Sequence, residues 1–201
     1  MERKHYFTVP ENHGRPSFSV HHALGNLSDV RIIVGDITRL EVSGLIFYAR
    51  PDLQLGSGYG GMIRRQGGAV IQKELNAQAP RNVGDAVVTS GGNLATGFIV
   101  HSVGPDPGEP MFEAKLKGSM ANALMLCDEM GADRVAMPPL GLGYHGVSIE
   151  TCAATTMAAI RDISTRLRTL SEIVICMRDE WTVPIFSRSC SMNGQRQGDQ
   201  P

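Results

Sequence analysis

The chain has little net charge, few cysteines and no long apolar run. Its 201 residues include 19 basic and 20 acidic side chains, which give a formal net charge of -1. A chain this close to neutrality has no overall field that attracts polyanions or anionic lipid, so general nucleic-acid binding and membrane-surface binding are disfavoured. No apolar stretch reaches the length of a membrane span and no signal peptide is recognisable. The expected location is therefore the cytoplasm or the nucleus.

The cysteines form no metal-binding pattern. There is no Cys-x-x-Cys pair, and no histidine stands at zinc-ligand spacing from a cysteine. Three of the four fall in apolar helix or strand patterns, so buried free thiols are expected. The adjacent His21 and His22 would point to opposite faces of a strand, which disfavours a chelate between them. We therefore expect no metal and no cofactor. The cysteines are Cys127, Cys152, Cys176 and Cys190.

The chain does have the composition and length of one globular domain with tails. Apolar residues make up 42% of it, and no internal repeat or interdomain linker divides it. Strand-like apolar runs alternate with helical periodicity from Asp29 onward, which predicts an α/β domain over residues 29–186. Residues 1–28 form an N-terminal extension in which Tyr6–Val9 and Phe18–His21 suit edge strands. The polar, Gly/Gln-rich residues 187–201 are expected to be disordered.

Two of the predicted strands end in glycine-rich loops that open helices. The strand Leu45–Tyr48 is followed by the loop Gly56–Gly61, and Val135–Pro138 leads into Leu140–Gly146. Such loops present backbone N–H groups and the positive end of a helix dipole to an anion, typically a phosphate. In open α/β sheets, ligands bind outside the carboxyl ends of the strands. The pattern therefore predicts a crevice for a nucleotide or a dinucleotide-like ligand.

An acidic residue follows a third strand. The run Val30–Val34 leads directly into Gly35 and Asp36, so the Asp36 carboxylate stands where it could contact a nucleotide base. Simpler interpretations stay open at this point. Asp36 could cap the turn after its strand, and the glycines could serve tight turns without binding a ligand.

Five segments, taken in order, form a pattern far more specific than any one of them. They are Gly35–Thr38, Gly56–Gly61, Gly84–Thr89, Ile99–Pro105 and Pro138–Gly146. On these segments the chain resembles the macrodomain family of ADP-ribose-binding modules, over about residues 29–186. The resemblance implies a three-layer α/β/α fold with a central mixed sheet.

The resemblance also implies roles for individual residues. Asp36 would accept a hydrogen bond from the adenine amino group, with the Ile37 backbone beside it. The first glycine loop would line the diphosphate and the distal ribose, and the second would close over the diphosphate. The implied ligand-binding residues are Asp36, Ile37, Arg50, Gly56, Ser57, Gly58, Tyr59, Gly60, Gly141, Leu142, Gly143, Tyr144, His145 and Gly146.

The chain departs from the family where hydrolytic members carry their polar side chains. The family's Asn-Ala-Ala-Asn stretch corresponds here to Phe47–Arg50, and an acid of the glycine loop corresponds to Gly60. Gly60 cannot orient a water molecule, and the permanently cationic Arg50 cannot act as a base. Arg50 either pairs with a phosphate or turns to solvent. His145 is then the only titratable candidate near the ligand, and it lacks an orienting acid, so we assign no catalytic residue.

Three functions are compatible with this sequence. The favoured one is binding of ADP-ribose or a related adenine nucleotide, either free or on a mono-ADP-ribosylated protein. The second is hydrolysis of ester-linked ADP-ribose or O-acetyl-ADP-ribose, which the departures disfavour. The third is a repurposed pocket that binds another ligand or a protein partner. Neither nucleic acid nor membrane is an expected partner.

Overall fold

The structure, a computed structural model, describes residues 20–142 and 147–192. Within these residues, one seven-stranded sheet is covered by five α-helices. The strands are β1 Val20–Leu24, β2 Leu27–Val34, β3 Val42–Ala49, β4 Ala86–Ser90, β5 Thr96–Val103, β6 Arg134–Met137 and β7 Glu172–Met177. The helices are α1 Gly58–Gly67, α2 Ala69–Asn76, α3 Phe112–Glu129, α4 Ile149–Ser164 and α5 Val183–Met192.

The sheet is mixed, as predicted. Its strand order is β1-β2-β7-β6-β3-β5-β4. The five inner strands are parallel to one another, and β1 and β4 pair antiparallel at the two edges. Because β2, β7, β6 and β3 run in the same direction, their carboxyl ends meet along one edge of the sheet.

Helices cover both faces of the sheet and bury it. In β7, Ile173 and Ile175 belong to the apolar cluster that includes α3, α4 and α5. The alternate residues Val174 and Cys176 belong to the cluster on the other face, with Ile63 of α1 and the buried side chains of α2. This alternation is what a strand buried on both faces requires. The result is the predicted three-layer α/β/α fold.

A glycine pair separates the first two helices. Gly68 has φ +90° and ends α1 while it also precedes α2. A backbone conformation in this left-handed region favours glycine because it has no Cβ atom. The first helix begins at Gly58, within the first glycine loop.

The sheet begins before residue 29. Strand β1 pairs antiparallel with β2, which itself starts at Leu27. The Leu27 side chain is buried in the core. Strand β1 overlaps the predicted edge strand Phe18–His21 at Val20 and His21 and continues to Leu24, while Tyr6–Val9 lies outside the described residues.

The predicted disorder from residue 187 is wrong for residues 187–192. Helix α5 continues to Met192, past the predicted domain end at Phe186. Phe186 is fully buried and belongs to the core that α4 lines. Once such an anchor nucleates a helix, each further residue adds one backbone hydrogen bond even where the sequence is polar. Residues 193–201 lie outside the described part of the chain.

The cysteine prediction is confirmed where the structure describes the side chains. Cys127, Cys152 and Cys176 are buried free thiols. Burial raises the pKa of both Cys127 and Cys176 to about 12. Across residues 20–142 and 147–192, no group of three or more His, Cys, Asp or Glu residues could hold a metal ion. In the same residues, no helix combines the length and the apolar character needed to cross a membrane.

Candidate functional site

A crevice of about 760 Å³ opens along the carboxyl ends of the parallel strands, where the sequence predicts the ligand site. Its walls are the end of β3, the start of α1, the loop after β6 and the segment after β7. Both glycine loops face it. The lining residues are Phe47, Tyr48, Arg50, Gln54, Gly56, Ser57, Gly58, Tyr59, Gly60, Pro138, Pro139, Leu140, Gly141, Leu142, Val147, Ile149, Met177, Arg178, Asp179, Trp181 and Thr182.

The N-terminus of α1 provides hydrogen-bond donors to the crevice. The first N–H groups of an α-helix have no partner within the helix. Ser57 occupies the N-cap position, but its side chain makes no capping hydrogen bond. Gly58 follows with φ +61°, which suits glycine, and the exposed loop lets a ligand approach the backbone closely. This end of the ten-residue helix therefore suits an anionic oxygen.

A side chain of α2 holds the loop between β3 and α1 in place. Leu53 has φ +53°, unusual for a residue with a branched side chain, and is almost fully buried. The Gln72 side-chain carbonyl accepts from the Leu55 N–H at 2.8 Å, and its amide nitrogen donates to the Leu53 carbonyl at 3.2 Å. Gln72 thus holds the backbone on both sides of residue 54 and sets the position of the glycine loop.

We predict that Gln72→Ala lowers the free energy of unfolding by about 1–2 kcal/mol, because the half-buried Leu55 N–H loses its acceptor. Gln72→Glu keeps an acceptor for Leu55 but loses the donor to Leu53, so its effect should be smaller. Urea denaturation measures both, with Lys73→Ala, an exposed change one residue away, as the control. Equal stability of Gln72→Ala and Lys73→Ala would contradict the assigned role.

The second glycine loop is described only in part. Gly141 has φ +88°, and a Cβ atom there would lie 2.9 Å from the Leu116 side chain. Glycine is therefore required both by the backbone conformation and by the packing on α3. Leu142 is half-buried and lines the crevice. The predicted site residues Gly143, Tyr144, His145 and Gly146 lie outside the described residues.

Asp36 and Ile37 lie beside the crevice but do not line it. The Asp36 carboxylate accepts from the Thr38 N–H at 3.0 Å and from the Thr38 hydroxyl. Its second oxygen lies 3.5 Å from Nε of Arg39. Asp36 therefore caps the short 3-10 helix Ile37–Arg39, which is the simpler of the two interpretations of this residue. The Ile37 side chain is buried in the core.

Tyr59 lines the crevice and lies near enough to Asp36 to feel its charge. Its half-buried side chain lines the crevice, and the charge of Asp36 acts on its hydroxyl group. Burial is the main cause that raises the pKa of Tyr59 to about 12. The charges of Cys176, Asp179 and Asp36 add to the increase, and Arg178 opposes it. Tyr59 therefore stays neutral at physiological pH and acts as a hydrogen-bonding group.

The other end of the crevice is built on aromatic side chains. The Tyr48 hydroxyl donates to the Pro105 carbonyl, and its ring occupies the place that a Cβ atom on Gly104 would need. Burial raises the pKa of Tyr48 well above its usual range. Phe47 packs edge-on against the buried His101, with ring centroids 5.9 Å apart. Both aromatic residues line the crevice.

His101 is a core residue. Its Nε2 lies 2.9 Å from the Thr89 hydroxyl, and its ring is fully buried. Burial lowers the pKa of His101 to about 3, so the ring is neutral at physiological pH. It does not line the crevice.

Gly60 and Phe47 depend on each other sterically. Gly60 is buried, and a Cβ atom there would lie 3.2 Å from Cζ of Phe47 and 3.5 Å from the Leu55 backbone. A side chain at residue 60 would therefore make a tight contact with the phenyl ring, which would have to give by a few tenths of an ångström.

The segment after β7 forms a wall of the crevice, and none of its residues was among the predicted site residues. The exposed Arg178 and Asp179 leave the strand, and a short 3-10 helix Glu180–Thr182 brings Trp181 to the crevice. Trp181 is 69% exposed, which is uncommon for so large an apolar side chain. The available signal was that the single tryptophan of the chain stands just beyond the carboxyl end of a buried strand.

The ionisable side chains among the described lining residues are few. They are two tyrosines with raised pKa values, two arginines and Asp179. Among them, Asp179 is the only carboxylate. It follows β7, whereas Gly60 and Arg50 belong to the wall after β3, with β6 between the two strands. This arrangement offers donors and positive charge to an anion.

The chain matches known proteins in both sequence and structure. The family model of the Macro domain matches residues 49–156. An uncharacterized protein of Pyrobaculum aerophilum is 34% identical over 76% of this chain and 85% of its own length. A Pantoea vagans protein named O-acetyl-ADP-ribose deacetylase 1 is 32% identical over 77% of this chain and 94% of its own.

Solved structures show the same fold. The Oceanobacillus iheyensis macrodomain with ADP superimposes with a TM-score of 0.81 at 22% identity, covering 89% of this chain and 98% of that chain. A mutant of that macrodomain has been solved with ADPR, at the same TM-score and identity, covering 88% of this chain and 99% of its own.

Proposed function

Because the chain belongs to the macro domain family, we propose that its crevice binds ADP-ribose or a related adenine nucleotide, free or attached to a protein. The observation that carries the proposal is the uncapped, glycine-lined N-terminus of α1, which opens into a crevice about 760 Å³ in volume. Cavities of this size are typical of small-molecule and cofactor sites. Relatives with the same fold have been solved with ADP and with ADPR.

The diphosphate would lie in the middle of the crevice. The first turn of α1 contributes free N–H groups, and Gly141 faces it from the loop after β6. Backbone amides bind phosphate oxygens without a side chain that must first be ordered. Arg50 and Arg178 stand on the two sides of this central region and add positive charge.

The adenine would lie at the β7 side of the crevice. Trp181 offers an exposed indole face on which a base can stack, and Tyr59 lies in the same region, near Arg178 and Asp179. Resemblance to the family assigns the adenine amino group to Asp36. The Asp36 side chain is 32% exposed, so a carboxylate oxygen that already caps the turn could still accept a bond from a ligand.

We favour a binding module over a hydrolase. The Pantoea vagans relative is named as an O-acetyl-ADP-ribose deacetylase, which keeps hydrolysis as the alternative function. In this chain, Phe47 and Gly60 offer no polar group to a water molecule, and Arg50 cannot take up a proton. A cytoplasmic or nuclear location stays a prediction.

Isothermal titration calorimetry with ADP-ribose, ADP, AMP and NAD tests the proposal. We expect ADP-ribose and ADP to bind and AMP to bind more weakly, since AMP lacks the second phosphate for the α1 N-terminus. Pull-down of a mono-ADP-ribosylated protein against its unmodified form tests the protein-attached ligand. The proposal fails if none of the four nucleotides binds.

We further predict that Trp181→Ala weakens binding of ADP by about 1–3 kcal/mol, the usual contribution of a base stacked on an aromatic side chain. Trp181→Phe keeps an aromatic face and should retain most of the affinity. The same calorimetry checks both variants, with inorganic pyrophosphate as a control ligand that has no base. An equal loss of pyrophosphate binding would place Trp181 at the diphosphate instead.

A further inference from the structure

Arg50 stands at the opposite end of the crevice from Trp181. Arg50 follows β3 directly, Pro138 follows β6, and Arg178 follows β7. These strands are neighbours in the order β7-β6-β3, and β2, which precedes Asp36, lies beyond β7. With a strand spacing of roughly 4.8 Å, the ends of β2 and β3 are about 14 Å apart. A nucleotide with its base near Trp181 would therefore direct its far end toward Arg50.

The Arg50 guanidinium has no carboxylate partner among the described residues. Its side chain is exposed and lines the crevice, and no described acid lies within 4.0 Å of it. The nearby acids are Asp106 and Glu109, whose charges, like that of Arg50, act on the Tyr48 hydroxyl. Glu109 is already bound by Lys115 at 2.7 Å and by the Asp106 N–H at 2.8 Å. The positive charge of Arg50 is therefore available to a ligand.

The same end of the crevice offers few groups to a sugar. Phe47 is apolar, Gly60 has no side chain, and the Tyr48 hydroxyl already donates to Pro105. The Gln54 amide nitrogen donates to the Asp52 carbonyl and to Asn76. Among the described residues at this end, the Ser57 hydroxyl, the Gln54 side-chain carbonyl and the five N–H donors of Arg50 can bind a ligand. A neutral, hydroxyl-rich group of a ligand has few hydrogen-bond partners here, whereas an anionic group can pair with the Arg50 guanidinium.

We propose that Arg50 selects for a negatively charged group at the distal end of the nucleotide. The preferred ligand class is then an adenine nucleotide with a further phosphoryl group beyond the diphosphate, in preference to ADP-ribose with its uncharged sugar end. This inference rests on the proposed function, since it needs the base and the diphosphate to bind as described. Arginine matches a phosphate through two parallel charge-assisted hydrogen bonds. Such a contact changes affinity by about tenfold to a hundredfold.

Calorimetry with ATP, ADP and ADP-ribose, in EDTA to keep the nucleotides free of divalent cations, tests the inference. We expect the unmodified protein to bind ATP at least about tenfold more tightly than ADP-ribose. Arg50→Gln should abolish this preference, because it removes the guanidinium that pairs with the further phosphoryl group. Arg64→Gln removes the same charge from an exposed α1 residue outside the crevice and should change nothing.

Two results would overturn the inference while leaving the proposed function intact. One is ADP-ribose binding as tightly as ATP, and the other is an ATP preference that survives in Arg50→Gln. Failure of all three nucleotides to bind would instead overturn the proposed function and this inference together. Thermal unfolding of each variant confirms that the exposed substitutions leave the fold unchanged.

Discussion

The purified protein should hydrolyse O-acetyl-ADP-ribose at least about a hundredfold more slowly than the Pantoea vagans deacetylase. General acid–base assistance is typically worth about 10²- to 10⁴-fold in rate. That assistance needs a group that can orient a water molecule or accept its proton beside the distal ribose. Here Gly60 has no side chain, Phe47 is apolar, and Arg50 stays protonated at any accessible pH.

Acetate release measured for the two proteins under the same conditions checks this prediction, with the Pantoea vagans protein as the positive control. A glutamate-linked ADP-ribosyl protein is a second substrate for the same comparison. Turnover within about tenfold of the control would contradict the binding-module proposal, because tenfold is less than the usual loss of acid–base assistance.

The close contact between Phe47 and Gly60 makes substitutions at the two positions interdependent. A Cβ atom at residue 60 would lie 3.2 Å from Cζ of Phe47, so Gly60→Asp alone crowds the ring. We expect Gly60→Asp to destabilise the protein by about 1–3 kcal/mol, the usual cost of overpacking. Combining it with Phe47→Asn should relieve that cost, because the smaller side chain vacates the space. Urea denaturation of the single and double variants measures the coupling.

Asp128→Ala should be among the most destabilising single substitutions in the chain. Asp128 is buried near the end of α3, where its carboxylate accepts from the N–H groups of Arg168, Thr169 and Leu170 at 2.8–3.1 Å. The Thr169 hydroxyl donates to the same carboxylate at 3.0 Å. This one side chain therefore holds the connection between α4 and β7.

Removal of the carboxylate leaves three backbone donors of this connection without their acceptor. Each unsatisfied buried donor costs about 1–3 kcal/mol, and we expect a total loss of roughly 3 kcal/mol or more in the free energy of unfolding. Urea denaturation at neutral pH measures it. Asp162→Ala is the matched control, because Asp162 pairs with Lys117 at the surface with its side chain 55% exposed. That change should cost less than about 1 kcal/mol.

The contribution of Asp128 should also depend on pH. Burial opposes ionisation of this carboxyl, but the hydrogen bonds from Leu170, Thr169 and Arg168 outweigh it and lower its pKa. The folded-state pKa is thus below the unfolded value of about 3.9, so the stabilisation is complete above about pH 4. It is lost as the pH falls through the lowered pKa. As the pH is lowered through that range, the free energy of unfolding of Asp128→Asn should therefore fall less than that of the unmodified protein.

The sequence by itself determined the layers of the fold. The run at residues 172–177 is apolar and β-branched after Glu172, which is typical of a strand buried on both faces, and β7 occupies this run. The stripe Leu116, Met120, Leu124 and Cys127 is buried on one side of α3, since helical periodicity is a local property of the chain. The glycine loops were likewise readable, because their backbone conformations exclude most other residues.

Only the tertiary structure decided how the site is assembled. The sequence order of the strands does not reveal that β7 lies between β2 and β6, and this placement brings Trp181 and Arg178 to the crevice. Asp36 was recognised, yet its bonds to Thr38 and Arg39 depend on a turn that no periodicity encodes. Pairing between distant strands and contacts between loops are non-local, so a pattern within one segment cannot specify them.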